Sequence, residues 1–297
     1  MSEKLEKNSI GFIGVGNMGG ALLKGFAEAA ASAAEATASA AEAAASAAEA
    51  TASAASADSG TAIFAYDKAG DKRENYGRYA TFTENTAELC RKSRFLAVLV
   101  KPQQLAETIA EIKDCLTADT VIISFCAGIS ADFYYKAIGK SDVKVVTVMP
   151  NTPAMLRLGA SALARNEYVT DSEFAFAKSV TDSVGVSEEV PMSKMREIIA
   201  VNGSSPAFIY LFAKGFLEYA ERAGIDKDAA LTLFAGTLTG SAAMLSGSGF
   251  TPDELIRQVS SPGGTTVAGL AELGDLTALV GKACEACTRR AYELGGS

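Results

Sequence analysis

The chain has 297 residues, a formal net charge of −8 and no histidine. With no basic cluster, that charge argues against nucleic acid or an anionic membrane as partner. The lack of imidazole excludes serine–histidine triads and histidine-assisted dehydrogenases. The length predicts two domains or one large one.

The first nine residues are polar and charged, without the apolar core of a signal peptide, and no unbroken run of about 18 apolar residues follows, so a cytoplasmic protein is expected. Ile10–Val15 reads as a buried parallel strand. Gly14, Gly16 and Gly19 follow at fixed spacing, and Ala21, Leu22, Leu23 and Phe26 supply the apolar face of a helix. In a dinucleotide-binding unit the first glycine permits the tight turn, the second admits a pyrophosphate, and the third lets helix and strand pack closely. The turn residues Gly14, Gly16, Asn17, Met18 and Gly19 are therefore candidate cofactor ligands at a helix N-terminus.

The fingerprint also requires an acidic residue about 20 positions further on. The next strand-like run, Ala62–Tyr66, ends at Asp67, which lies 48 residues after Gly19. Between them, residues 28–55 are four heptads of E-A-(A/T)-A-S-A-A, led by Glu28, Glu35, Glu42 and Glu49. Without them the spacing is 20, so the repeat reads as an insertion and Asp67 as the ribose-binding carboxylate. An unbroken repeat helix would run about 42 Å outward, and the tail 56–61 reaches back only about 20 Å. The repeat is therefore expected to break, as a hairpin of two 14-residue helices, or to stay partly disordered.

Further on, helix is expected over Thr86–Lys92, strand over Phe95–Val100, helix over Leu105–Cys115, and strand over Val121–Phe125. A helix over Ala131–Ile138 and strands at Val143–Met149 and Ala160–Ala164 follow. This alternation predicts a doubly wound parallel sheet whose strand ends form one ligand-binding rim. From about Asp171 helices take over, interrupted by the apolar piece Val184–Val190. The expected division is a Rossmann dinucleotide-binding domain at 1–168 and a helical substrate-binding and dimerisation domain at 169–297. Of the five cysteines, Cys284 and Cys287 form a C-x-x-C inside a helical stretch, which lacks the two further ligands of a zinc site. No metal site is expected.

Between two helices lies SSPGGTT, Ser260–Thr266, with four hydroxyls and backbone N–H groups at the start of a helix. Such an N-terminus suits a small carboxylate. From composition alone an ordinary capped loop is the better reading, and a resemblance changes it. Apart from the repeat, the chain resembles the pyrroline-5-carboxylate reductase family. The matching stretches are IGFIGVGNMGGALLKGF, VKPQQ (100–104), MPNTPAMLRLGA (149–160), VNGSSPAFIY (201–210) and VSSPGGTTVAGL (259–270). The resemblance implies a Rossmann domain followed by a helical domain that dimerises through interlocking helices, with dimers assembling into decamers.

It also implies reduction of a cyclic imino acid to L-proline by NADH or NADPH. By position, the substrate carboxylate would sit on Ser261 and the N–H groups of Gly264, Thr265 and Thr266, with the Thr266 hydroxyl facing the ring nitrogen. Asn85, Val100, Lys101, Pro102 and Asn151 match cofactor-side positions. One motif departs, with Gly203-Ser204-Ser205-Pro206-Ala207-Phe208 replacing the family's G-S-G-P-A-Y. Two other readings stand beside this one. A β-hydroxyacid dehydrogenase would use a helical lysine, and Lys214 lacks that motif. A non-catalytic dinucleotide sensor would not need SSPGGTT.

Overall fold

A computed structural model describes residues 8–47, 60–126, 128–129 and 131–295. The chain divides into two compact units, Met1–Gly203 with Thr288–Ser297, and Ser204–Cys287.

The first unit is built on one eight-stranded sheet: β1 (Ser9–Ile13), β2 (Ala62–Tyr66), β3 (Thr81–Phe82), β4 (Phe95–Val98), β5 (Val121–Ser124), β6 (Lys144–Met149), β7 (Gly159–Arg165) and β8 (Gly185–Glu189). The spatial order is β3-β2-β1-β4-β5-β6-β7-β8. The first six strands are parallel in the doubly wound order of dinucleotide-binding sheets. The sheet is not parallel throughout as expected, because β7 runs antiparallel to β6 and β8 runs parallel to β7. Only the short 3-10 turn Thr152–Leu156 lies between β6 and β7, too little chain for a crossover helix.

Strand residues alternate between two packed faces. Ile10, Phe12, Phe95, Ala97, Val121 and Ile123 join the cluster that includes Leu22, Leu23 and Phe26 of α1 (Asn17–Ala47) and Phe174 and Ala177 of α6 (Asp171–Asp182). Ile13, Leu96, Val98 and Ile122 face the cluster of Leu89, Leu105, Ile109 and Tyr134. Those four come from α3 (Thr86–Lys92), α4 (Pro102–Ile112) and α5 (Ala131–Ile138), and the small polar α2 (Asp71–Tyr76) buries nothing. Phe176 stacks on Phe95 with centroids 4.0 Å apart and meets Phe26 edge-on, tying α6 and α1 to β4. The expected division at residue 168 thus falls inside the first unit. α6 and β8, assigned there to the helical part, complete the sheet layer. After β8, where the sequence predicts only helices, the chain forms a 3-10 turn at Met192–Lys194 and then a π-turn at Ile199–Gly203.

α1 spans Asn17–Ala47 without a break, 31 residues or about 46 Å. The expected hairpin is absent: the first 20 repeat residues simply extend the helix begun at the glycine turn, since alanine favours helix at every position. The remainder of the repeat lies outside the described residues. Glu28 is anchored, pairing with Arg157 and accepting a hydrogen bond from the Tyr79 hydroxyl at 3.2 Å. Beyond it, residues 31–37 are all exposed. Deleting residues 28–55 should therefore leave a folded protein, because Leu22, Leu23 and Phe26 stay in place. Circular dichroism and size-exclusion chromatography of the deletion variant check this, and an unfolded or differently assembled product would make the repeat a structural part.

The second unit comprises α7 (Ser205–Arg222), α8 (Lys227–Gly247), α9 (Pro252–Gln258), α10 (Thr265–Leu273) and most of α11 (Leu276–Gly295). α7 has Ser204 at its cap, with no side-chain capping bond, and Pro206 in its first turn. Asp226 caps α8 through Ala229 N–H at 2.9 Å, and Thr251 with Glu254 forms a capping box on α9. Phe212, Phe216 and Phe234 stack between α7 and α8. Yet α8, α9 and α10 bury no residue. Leu211, Tyr219, Leu233, Leu245 and Val259 are all more than half exposed, so a broad apolar surface is left uncovered within one chain. α8 is also, among the described residues, long and apolar enough by length and composition to cross a membrane. Its threonines, serines and glycines interrupt what would otherwise read as an apolar run.

Candidate active site

The glycine turn joins β1 to α1 at the carboxyl edge of the sheet. Gly14 adopts φ +95°, a conformation that a side chain would strain. Its N–H donates to Tyr66 O at 2.9 Å, and Leu99 N–H donates to Ile13 O at 2.9 Å, so β2 and the β4 end clamp the turn from both sides. A Cβ on Gly19 would lie 2.1 Å from Gly14 O, which fixes the close approach of helix and turn. Around Gly16 a Cβ would meet nothing within 4 Å, leaving space where a pyrophosphate would approach. Asn17 is exposed at the start of α1, and Met18 packs on the core.

Asp67 follows β2 directly. Its carboxylate accepts Val15 N–H at 2.6 Å and Ala69 N–H at 2.9 Å, so backbone from two loops fixes its position. A cleft of about 220 Å³ is lined by Gly14, Gly16, Asp67, Val100 and Lys101, five residues that the sequence had placed together. It is also lined by Lys68, next to Asp67 in sequence, and by Thr86, Gln104, Thr108 and Glu111, which sequence reasoning did not place at the cofactor. Only the amphipathic face of α4 carried a signal for the last three. Thr86 Oγ1 donates to Glu111 at 2.6 Å, closing the cleft floor between α3 and α4. Lys101 has no carboxylate partner among the described residues, whereas Lys68 pairs with Glu107 at 3.1 Å, which raises the lysine pKa.

The other expected cofactor positions flank the cleft without lining it. Asn85 caps α3, its Oδ1 accepting Glu88 N–H at 2.8 Å. Pro102 is the first residue of α4, where its missing N–H is harmless. Asn151 lies past the end of β6, its Oδ1 accepting Ala160 N–H at 2.9 Å and so holding the β6–β7 turn. Cys126, at the end of β5, donates to Val100 O, and burial pushes its thiol up to about 11. Burial pushes Cys90 to about 12, so both are protonated, poor nucleophiles at neutral pH.

The substrate-loop residues stand in the second unit. Gly263 has φ +71°, and Gly264 caps α10. Gly264 N–H donates to Ser261 O at 2.9 Å, so it is spent on closing the turn and is not free for a carboxylate as expected. Its lack of a side chain matters instead, since a Cβ there would lie 2.7 Å from Ser261 Oγ. Among the described residues the Thr265 and Thr266 N–H groups have no acceptor, as the geometry of a helix N-terminus requires. Ser261, Thr265 and Thr266 are exposed. Among the described residues no cluster of three or more metal-ligating side chains occurs.

A family model described as pyrroline-5-carboxylate reductase dimerisation matches residues 192–294, and one described as NADP oxidoreductase coenzyme F420-dependent matches 9–128. The chain is 30% identical to pyrroline-5-carboxylate reductase of Methanosarcina acetivorans over 293 residues, covering 98% of this chain and 99% of that one. It is 28% identical to the Escherichia coli enzyme of that name, covering 98% and 100%. Among solved structures, the pyrroline-5-carboxylate reductase of Coxiella burnetii superimposes with a TM-score of 0.82 at 28% identity, over 98% of this chain and 100% of the other. The Plasmodium falciparum pyrroline carboxylate reductase with NADP bound shares the fold, with a TM-score of 0.78 at 24% identity over 99% and 100%. Glycine turn, strand-end carboxylate, SSPGGTT loop and near full-length similarity agree: the chain belongs to the pyrroline-5-carboxylate reductase family.

Proposed function

We propose that this chain is an oxidoreductase that reduces 1-pyrroline-5-carboxylate to L-proline with NAD(P)H. The observation that carries the reading is the SSPGGTT loop, which puts the Ser261 side chain and the unpaired N–H groups of Thr265 and Thr266 together at the start of α10. Partial positive charge at a helix N-terminus suits the substrate carboxylate. The Thr266 hydroxyl then holds the ring nitrogen. When bound, the nicotinamide cofactor supplies the hydride that adds to the ring C=N carbon. A protonated imine is already electrophilic, so a chain without histidine suffices, and its contribution is orientation. The glycine turn fits such a cofactor: open space at Gly16, a fixed carboxylate at Asp67 and, at Lys101, a cation without a carboxylate partner among the described residues share one cleft.

The region 192–294 dimerises, and a second copy covers the apolar faces of α8, α9 and α10. Assembly of dimers into a decamer and a cytoplasmic location complete the proposal. The deciding assay follows NADH and NADPH oxidation with pyrroline-5-carboxylate, and the reverse reaction with 3-hydroxyacids. Turnover of the hydroxyacids alone would replace this reading with the β-hydroxyacid dehydrogenase one.

NADH is the proposed preference. As the ribose-binding carboxylate of this reading, Asp67 would repel a 2′-phosphate. Of the three cations that follow Asp67 in sequence, Lys68 pairs with Glu107, Lys72 with Asp71 and Arg73 with Glu84, which leaves Lys101 as the cation of the cleft that could oppose this preference. Asp67→Ser should shift the ratio of kcat/KM values towards NADPH by about tenfold. It should also lower Tm slightly, since Val15 N–H loses its acceptor. A wild-type preference for NADPH that Asp67→Ser leaves untouched would remove Asp67 from the ribose site.

A further inference from the structure

A second cavity, of about 330 Å³, lies in the first unit between the strand ends β5–β6 and the turn Met192–Lys194. It shares no lining residue with the glycine-turn cleft and includes none of the SSPGGTT loop. Its walls include Thr147, Met149, Met192, Met195, Arg196 and Tyr292. Two polar groups there are unspent. The Thr147 side-chain oxygen is buried without a hydrogen-bond partner among the described residues, on a residue only 5% exposed. The Arg196 guanidinium lies 4.6 Å from the centroid of the Tyr292 ring and has no carboxylate partner among the described residues. The adjacent acid, Glu197, does not line the cavity; its Oε1 meets the Tyr292 hydroxyl at 3.3 Å and Lys194 at 3.6 Å, while its Oε2 is buried without a hydrogen-bond partner among the described residues.

We propose that this cavity binds a small organic carboxylate with a compact apolar body. A half-buried cation and a buried hydroxyl without partners lose stability unless a ligand satisfies them. The planar guanidinium, steadied on an aromatic face, matches a carboxylate by two parallel hydrogen bonds. The Thr147 hydroxyl supplies a further polar contact. Three methionines give the rest of the ligand a soft apolar wall that adapts to its shape. The volume is at the small end of ligand pockets, which favours a ring or short branched chain over a nucleotide.

The test uses the full chain without cofactor or substrate, and benzoate as the probe. Isothermal titration should give a dissociation constant of roughly millimolar or below. Arg196→Gln should weaken binding by about tenfold or more, the loss of a charge-assisted bond, and Arg196→Lys should recover part of it. Thr147→Val, which keeps the shape and removes the hydroxyl, should weaken it by about threefold. Ser261→Ala, which removes the carboxylate-binding hydroxyl of the SSPGGTT loop, should bind benzoate as the wild type does. The proposal is overturned by absence of binding, by binding indifferent to Arg196→Gln, or by loss only in Ser261→Ala, which would put benzoate in the substrate loop. It is also overturned if Arg196→Gln weakens the dimer while no carboxylate binds, since Arg196 would then meet the partner protomer.

Discussion

Thr266→Ala is expected to lower kcat for pyrroline-5-carboxylate by roughly ten- to a hundredfold, with the fold intact. The residue is exposed in the first turn of α10, and its side chain makes no hydrogen bond among the described residues. The substitution therefore removes nothing structural and favours helix slightly. What it removes is the hydroxyl assigned to the ring nitrogen, and a hydrogen bond to a charged group is worth about 1.5–3 kcal/mol. The loss should appear mainly in kcat, because carboxylate binding rests on Ser261 and the backbone, which the variant keeps. Thr266→Ser should retain most of the rate. Wild-type kinetics in a folded Thr266→Ala enzyme would take the residue out of the chemistry.

Glu173→Gln should destabilise the first unit by about 3 kcal/mol, because it removes the buried charge that accepts charge-assisted hydrogen bonds from Lys144 and Arg94. Glu173 is only 2% exposed. One carboxylate oxygen accepts from Arg94 at 2.8 Å and Lys144 at 2.7 Å, and the other accepts from the Thr170 hydroxyl and N–H at 2.9 and 3.0 Å. Burial alone would raise its pKa, but the hydrogen bonds from Lys144 and Thr170 and the Lys144 charge outweigh it and bring the value from 4.5 to about 2. A folded-state pKa below the unfolded one stabilises the protein above pH 4.5, and the contribution disappears as pH falls from 4.5 towards 2. Wild-type Tm should therefore drop more steeply than that of Glu173→Gln across this window. Parallel Tm–pH curves, or variants differing by less than about 1 °C at pH 7, would show that the triad contributes little.

The sequence by itself determined the nucleotide-binding half in some detail. Short apolar runs bounded by glycine and proline leave little choice but buried parallel strands, and a carboxylate at 20 residues after the repeat is discounted can only end the second one. The SSPGGTT loop was legible only through resemblance, since serine, glycine and threonine between helices also make an ordinary cap. Pairing and chain reach were decided in three dimensions. β7 reads like any other strand, but the short link after β6 turns it antiparallel, and β8 then joins a sheet from a stretch that looked like an interruption between helices. The repeat carries no local stop signal, so α1 extends through Ala47. Asp67 was placed by spacing, yet its grip on Val15 and Ala69 depends on two loops meeting. Thr147 and Arg196 lie 49 positions apart and carry no motif. Only the packing of Met192–Arg196 beside β6 brings into one cavity a hydroxyl and a cation that lack partners among the described residues, because such a site is defined by what its groups lack, and sequence does not record partners.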